Sequence, residues 1–370
     1  MSYSPIGRAQ DVLTTRGHLF LVGRTGSGKT TALVSLLEAK IREGHAAVFV
    51  DPHGDAADML VERVPRSRRS DVVVFDPLRL DCPGLNPFAS VTDLERPLIV
   101  TTLVATMKKI FATAWGARTE HLIRNAFSAI TEVRGSTLED AARLLFDEKH
   151  RAWVLRQVKD QATRQFWLEE VPSYSKQLMA EAIAAPLNKL GSILADPRVR
   201  LAITKQKPRL DLYRLLNRNA IVIVRLPKGL LGELNTTVLG SFVLGAFQAA
   251  VMRRAELGLG DRNACLLAAD EFWNFVVEPI SELLAEGRKY GISVAAACQS
   301  ASMLEPRMRS SLLANAGLVS FRVSGEDGEL LAPEFAGDYG PVTLTSLSTG
   351  EAVVRLGPER ARLVQFPRPQ

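Results

Sequence analysis

The octet Gly23-Arg24-Thr25-Gly26-Ser27-Gly28-Lys29-Thr30 stands between the apolar run His18-Leu19-Phe20-Leu21-Val22 and the helix-forming run Thr31-Ala32-Leu33-Val34-Ser35-Leu36-Leu37-Glu38. An apolar strand, a small-residue turn and a helix in immediate succession commit this part of the chain to an α/β unit. The octet fits GxxxxGK[ST], in which backbone N–H groups turn inward on phosphates and the following helix aims its positive end at them. Lys29 is placed to reach the β- and γ-phosphates, and Thr30 to reach Mg²⁺. Gly23, Thr25, Gly26, Ser27, Gly28, Lys29, Thr30 and Thr31 form the candidate nucleotide-binding set.

Six further short apolar runs follow: Ala46 to Val50, Asp71 to Phe75, Ala220 to Arg225, Cys265 to Ala269, Ser293 to Ala297 and Leu318 to Val323. Alternated with helices, they imply a mostly parallel sheet covered on both faces. The helix after the octet is expected to end near Gly44. From about Thr92 to Lys205 strands give way to helical text: Leu94 to Ile110, Thr119 to Glu132, Thr137 to Phe146, Arg151 to Val158 and Gln177 to Leu194. The expected organisation is an α/β domain over 1–91 and 206–370, with an all-α insertion over 92–205. Breakers mark its borders, with Pro83-Gly84, Pro87 and Pro97 on entry and Pro197 and Pro208 on exit. The tail from Gly357, with Pro358, Pro367 and Pro369, reads as a short edge or a disordered end.

Over 370 residues the net charge is +6, which favours an anionic partner; the insertion itself holds about four more basic than acidic side chains. Cys82, Cys265 and Cys298 lie far apart, as reduced core thiols do, and no Cys/His spacing suggests a metal cluster. Val238 to Met252 is the longest apolar stretch, but it is short for a membrane span, contains Gln248 and ends on Arg253-Arg254, so a buried helix is expected. No signal peptide or membrane anchor fits before Gly23.

Cleaving a terminal phosphate requires a second acidic site. Ala264 to Ala269 reads as a central strand that delivers Asp270 and Glu271 at its carboxyl end, Asp270 for the Mg²⁺ shell and Glu271 to orient or deprotonate water. The alternative is a strand end followed by a helix-capping Asp. Gln299, after the strand ending at Cys298, can touch the γ-phosphate or else cap a helix. Arg288 precedes that strand, at the opposite end of the sheet, so it reaches a neighbour's nucleotide or only a surface ion pair. The Asp51-Pro52-His53-Gly54-Asp55 turn is expected beside the phosphate loop, with His53 as a turn residue, and turn chemistry accounts for Asp76-Pro77 and Leu85-Asn86-Pro87-Phe88. Pro227-Lys228-Gly229-Leu230-Leu231-Gly232 reads as a loop whose Lys228 could contact DNA phosphates.

The set GRTGSGKTT, DPHGD, FDP with GLNPF, ADEFWNF, and EGRKYG with CQS resembles the HerA/FtsK superfamily of DNA-pumping ATPases, and within it the conjugative coupling proteins of type IV secretion. The resemblance implies a RecA-like P-loop NTPase fold with an all-helical insertion. In that family the matches to Lys29, Thr30, Asp270 and Glu271, the Walker A and Walker B groups, serve ATP and Mg²⁺; the match to Arg288 is the trans arginine and the match to Gln299 the sensor. It further implies a homohexameric ring that translocates single- or double-stranded DNA through its pore. Typical relatives carry N-terminal membrane helices or a β-barrel, and neither fits before Gly23. A cytoplasmic motor is therefore expected, brought to the inner face of the membrane by a channel partner or clamped by a nuclease partner. A HerA-type helicase working with a separate nuclease and a DNA-independent secretion ATPase are the rival functions.

Overall fold

The computed structural model describes residues 7–89, 91–93, 95–275 and 278–366. Ten strands form one sheet: β1 Gly7–Arg8, β2 His18–Val22, β3 Ala46–Asp51, β4 Val72–Phe75, β5 Ile221–Arg225, β6 Cys265–Ala269, β7 Ile292–Cys298, β8 Ala316–Ser320, β9 Glu351–Arg355 and β10 Arg362–Gln365. Their order is β1-β10-β9-β8-β2-β7-β6-β3-β5-β4. The run from β8 through β5 is parallel, with Leu21 opposite Ala297 and Val319, and Val48 opposite Leu267 and Val222. Strands covered on both faces need no polar alternation, and β2, β3 and β6 are buried at every position.

The seven expected strands are all present within a few residues. Strands β1 and β9 carry no signal that the sequence reading picks up. The tail expected as an edge or a disordered end is in part β10, paired antiparallel with β9 and parallel with β1; Pro367 and Pro369 lie outside the described residues. The Asp51 turn reaches the cavity of the phosphate loop through His53, although its strand is not the neighbour of the loop's strand. Strand β3 is separated from β2 by β7 and β6, because the parallel crossovers place the later strands between them.

The chain divides into two compact units. The sheet unit runs through Val74, resumes over Tyr213–Pro227 and continues from Arg254, while the helical unit takes Phe75–Leu212 and Lys228–Arg253. These borders differ from 92–205, and hydrogen bonds within the helical unit explain the difference. Leu85 N–H donates to Ala202 O at 2.7 Å, Arg209 N–H to Pro83 O at 2.8 Å, and Asn86 Nδ2 to Ser136 O at 2.7 Å. The 76–89 segment thus does more than turn. Asn86 Oδ1 closes the local turn on Phe88 N–H, while its amide ties that turn to the helices.

Within the helical unit the main helices are Arg96–Ile110, Ala117–Thr131, Leu138–Phe146, Glu148–Leu155, Lys176–Leu194 and Glu233–Arg253. The expected start of the first at Leu94 lies outside the described residues. Leu122, Ile123, Ala126, Phe127 and Ile130 recur at helical spacing and are fully buried, and Thr137 and Asp140 form a capping box that starts Leu138–Phe146. The expected Lys228 loop is instead a short helix, Lys228–Leu231. Helix Glu233–Arg253 is apolar and long enough to cross a membrane, yet 78% of its most apolar window is buried inside the protein. Cys82, Cys265 and Cys298 are free and buried.

Candidate functional site

The phosphate loop leaves β2 and enters the helix Lys29–Arg42. Gly28 has φ +110°, and a Cβ there would lie 3.1 Å from the backbone of Gly350, so both the conformation and the close approach require glycine. Gly23 is equally confined, since a Cβ would meet Phe321 Cβ at 2.6 Å. Lys29 is almost wholly buried. Its Nζ donates to Gly23 O at 2.5 Å and Arg24 O at 3.4 Å, and lies 3.9 Å from Glu271 Oε1.

Strand β6 ends at Ala269, and the acidic pair turns out of it toward the loop. Thr30 Oγ1 donates to Asp270 Oδ2 at 3.0 Å. Glu271 adopts φ +41°, a left-handed conformation that costs a non-glycine residue about 1 kcal/mol. Its surroundings enforce it. Glu271 N–H donates to Asp270 Oδ1, Asn274 Nδ2 to Glu271 O at 2.8 Å, and Trp273 Nε1 to Glu271 Oε2 at 2.8 Å. Asp270 therefore does not cap a helix; it and Glu271 are held as a pair.

These groups surround a cavity of about 320 Å³ lined by Thr25, Gly26, Gly28, Lys29, Thr30, Thr31, His53, Asp270, Glu271, Gln299, Thr349, Gly350 and Phe366. Gln299, which directly follows β7, the strand between β2 and β6, is exposed and lines it. Asp51 is also buried, its oxygens accepting His53 N–H at 2.8 Å and Ala57 N–H at 2.9 Å. Burial pushes the Asp270 carboxyl up to about 6, helped by the charge on Glu271 and then Asp51, against the Thr30 hydrogen bond and Lys29. The Thr30 hydroxyl and the buried Asp270–Glu271 pair beside it suit a divalent cation held partly through water. Ser27 Oγ is buried without a hydrogen-bond partner, an orphan donor inside the loop. A phosphate chain with Mg²⁺ thus fits the residues present. Among the described residues no group of three or more His, Cys, Asp or Glu is placed to hold a metal ion by itself.

Two contributors went unread in the sequence. Trp273 fixes the Glu271 carboxylate, and its only signal was its place in ADEFWNF. The second is a strap before β9: Gly350 N–H donates to Ser27 O at 2.9 Å, Thr349 Oγ1 to Gly26 O at 3.3 Å, and Phe366 N–H to Gly350 O at 2.9 Å. Arg288 lies elsewhere. It is exposed before β7, whose seven residues separate it from Gln299 by about 23 Å, and its Nη2 donates to Asn315 O at 3.1 Å. The expected surface ion pair is absent among the described residues. Lys228 is half-exposed in the helical unit and lies 3.4 Å from Glu233 Oε1.

A phosphate loop facing an acidic pair across one strand, on a sheet with an all-helical companion unit, has known relatives. The profile for type IV secretory system conjugative DNA transfer matches residues 6–328. The chain belongs to that family. Among solved structures, the conjugative coupling protein TrwB in a sulphate complex superposes with a TM-score of 0.73 at 16% identity, covering 100% of this chain and 91% of that one. TrwB in complex with ADP and Mg²⁺ gives 0.72 at 16% identity with the same coverage. VirB4 of Thermoanaerobacter pseudethanolicus gives 0.63 at 14% identity, covering 95% of this chain and 89% of that one. These likenesses establish the fold as a RecA-like α/β P-loop architecture. No curated protein matches the chain by sequence.

Proposed function

We propose that this conjugative-transfer family member is an ATP-hydrolysing motor that moves DNA through the pore of a homohexameric ring, with the sheet unit as motor and the helical unit as insertion domain. The observation that carries the reading is the Thr30–Asp270 hydrogen bond, which places the phosphate loop and the β6 carboxylates around one cavity. Bound Mg²⁺, held by Thr30 and through water by Asp270, would supply charge neutralisation at the β- and γ-phosphates. Lys29 exchanges its loop carbonyls for phosphate oxygens. Glu271, aimed by Trp273, orients the attacking water and accepts its proton, and Gln299 senses the γ-phosphate from the intervening strand. Arg288, about 23 Å from its own Gln299, completes the site of the adjacent subunit, which ties hydrolysis to ring assembly.

Lys228 is the proposed DNA contact, each ring multiplying one phosphate contact several-fold. A channel or nuclease partner would set where the motor works, at the inner face of the membrane in the conjugative case. The test is the ATPase rate without DNA, with single strands and with duplex, using Glu271→Gln as control. DNA should raise the rate, and Glu271→Gln should bind ATP with wild-type affinity while turnover falls at least a hundredfold. A rate indifferent to DNA would overturn the translocase in favour of a secretion ATPase, and wild-type turnover by Glu271→Gln would remove the assignment of the base.

A further inference from the structure

The amino ends of the strands carry a buried charge that the reaction does not use. Arg254 is completely buried, and among the described residues every partner of its guanidinium is a neutral oxygen. Its Nε donates to Asn217 Oδ1 at 3.1 Å and its Nη1 to Asn263 O at 2.8 Å and Tyr290 O at 3.1 Å, while Nη2 is buried with no acceptor. Asn263 Nδ2 closes the cluster on Asn217 O at 2.9 Å. Asn217 precedes β5, Asn263 precedes β6 and Tyr290 precedes β7. One side chain thus joins the starts of three strands. Desolvating a guanidinium without a carboxylate costs several kcal/mol, and an apolar side chain of similar volume would commonly fold as well or better. Stability alone is a poor reason to bury this group.

The third anchor is the informative one. Tyr290 ends the single-turn helix Gly287–Tyr290, which presents Arg288. Arg262 holds the same turn from outside, donating from Nη1 to Lys289 O at 2.6 Å and lying 5.2 Å from the centre of the Tyr290 ring. Arg288 O accepts Gly291 N–H at 3.1 Å. All three carbonyls from Arg288 to Tyr290 are therefore committed, while the Arg288 side chain is exposed and spends one donor on one neutral carbonyl. The backbone is fixed and the guanidinium is free to leave. That combination suits a group delivered into another subunit, because pre-organisation lowers the ordering cost at the moment of use.

We propose that Arg254 is a positioning residue for Arg288: by joining the Gly287–Tyr290 turn to the starts of β5 and β6, it fixes the angle at which the Arg288 guanidinium enters the adjacent subunit's nucleotide site. This rests on the reading that Arg288 acts in trans.

The test is a double-mutant cycle on DNA-stimulated ATPase of the assembled ring, with ring formation checked by light scattering. Arg254→Met should lower kcat at least tenfold, with KM for ATP and affinity for ADP within twofold of wild type. In an Arg288→Ala background the same substitution should lower the rate no further. Arg262→Ala, which loosens the turn from the surface, should show the same dependence on Arg288 and carries the test if Arg254→Met does not fold. An equal loss from either variant in both backgrounds would show action away from Arg288 and overturn the proposal. So would wild-type kcat in both Arg254→Met and Arg262→Ala beside an inactive Arg288→Ala. Full turnover by Arg288→Ala would instead overturn the trans reading itself, and the positioning role with it.

Discussion

The two ends of the sheet solve opposite electrostatic problems. At the carboxyl end the buried pair Asp270 and Glu271 faces one ammonium, Lys29, with Asp51 also buried nearby, and burial followed by the Glu271 charge pushes Asp270 up to about 6. At the amino end Arg254, Arg262 and Arg288 donate to backbone or amide oxygens rather than carboxylates, and His18, beside them, is forced neutral. The carboxylates of the one cluster are short of positive partners, and among the described residues no carboxylate accepts a hydrogen bond from the three arginines of the other. In the ring proposed above, the amino end of one subunit would meet the carboxyl end of the next. A cation site must be built before its cation arrives, and Glu271 is accordingly held in a left-handed backbone by Trp273 and Asn274.

The comparison breaks most plainly at Arg288. Arg288→Ala should leave ADP affinity within twofold while lowering kcat of the assembled protein by about a thousandfold, the usual scale for a guanidinium supplied in trans. Steady-state ATPase against protein concentration reads this, and a small effect would mean that the amino end serves no second site. Next is His18, whose Nδ1 accepts Val294 N–H at 3.0 Å while Nε2 has no partner. Burial first, and the Arg288 charge second, lower its pKa from 6.5 to about 4. The folded state then binds fewer protons than the unfolded chain between those values, so stability is full above pH 6.5 and falls as the pH drops toward 4, by about 3 kcal/mol. His18→Asn keeps an acceptor for Val294 and removes the titration, so denaturant midpoints from pH 7.5 to 4 should fall less steeply than in the wild type. Smallest is Trp273→Phe, which keeps the ring and removes the donor to Glu271. It should lower kcat about tenfold, roughly 1.4 kcal/mol, with KM for ATP unchanged.

Local features were legible where one stretch of chain carries its own geometry. The phosphate loop, the β6 acidic pair and the helix ends at Gly44 and Thr137 are of this kind. In each, spacing of a few residues sets hydrogen-bond partners that the same few residues supply. Non-local partners were opaque. Arg254 reads in sequence as the charged stop of an apolar helix, and folding buries it completely because Asn217, Asn263 and Tyr290 converge from three separate strand starts. Lys228 was read as a loop because of its flanking glycines, but Lys228–Leu231 is helical. The strap at Thr349-Gly350 is invisible in sequence because its partners lie in the phosphate loop, with Thr349 and Gly26 323 residues apart.

The sequence alone determined that this chain makes a parallel α/β sheet with a phosphate loop, an acidic pair after a central strand, and a helical stretch between strands, since period and spacing are local quantities. Only the tertiary structure decided which strand lies between which. That order sets the strand leading to Gln299 between those leading to the phosphate loop and to Asp270, leaves β3 three places from β2, and gathers the amino-end arginines around the turn that carries Arg288. The physical reason is that crossover order is fixed by burial of whole faces and by connection handedness, which no single segment encodes.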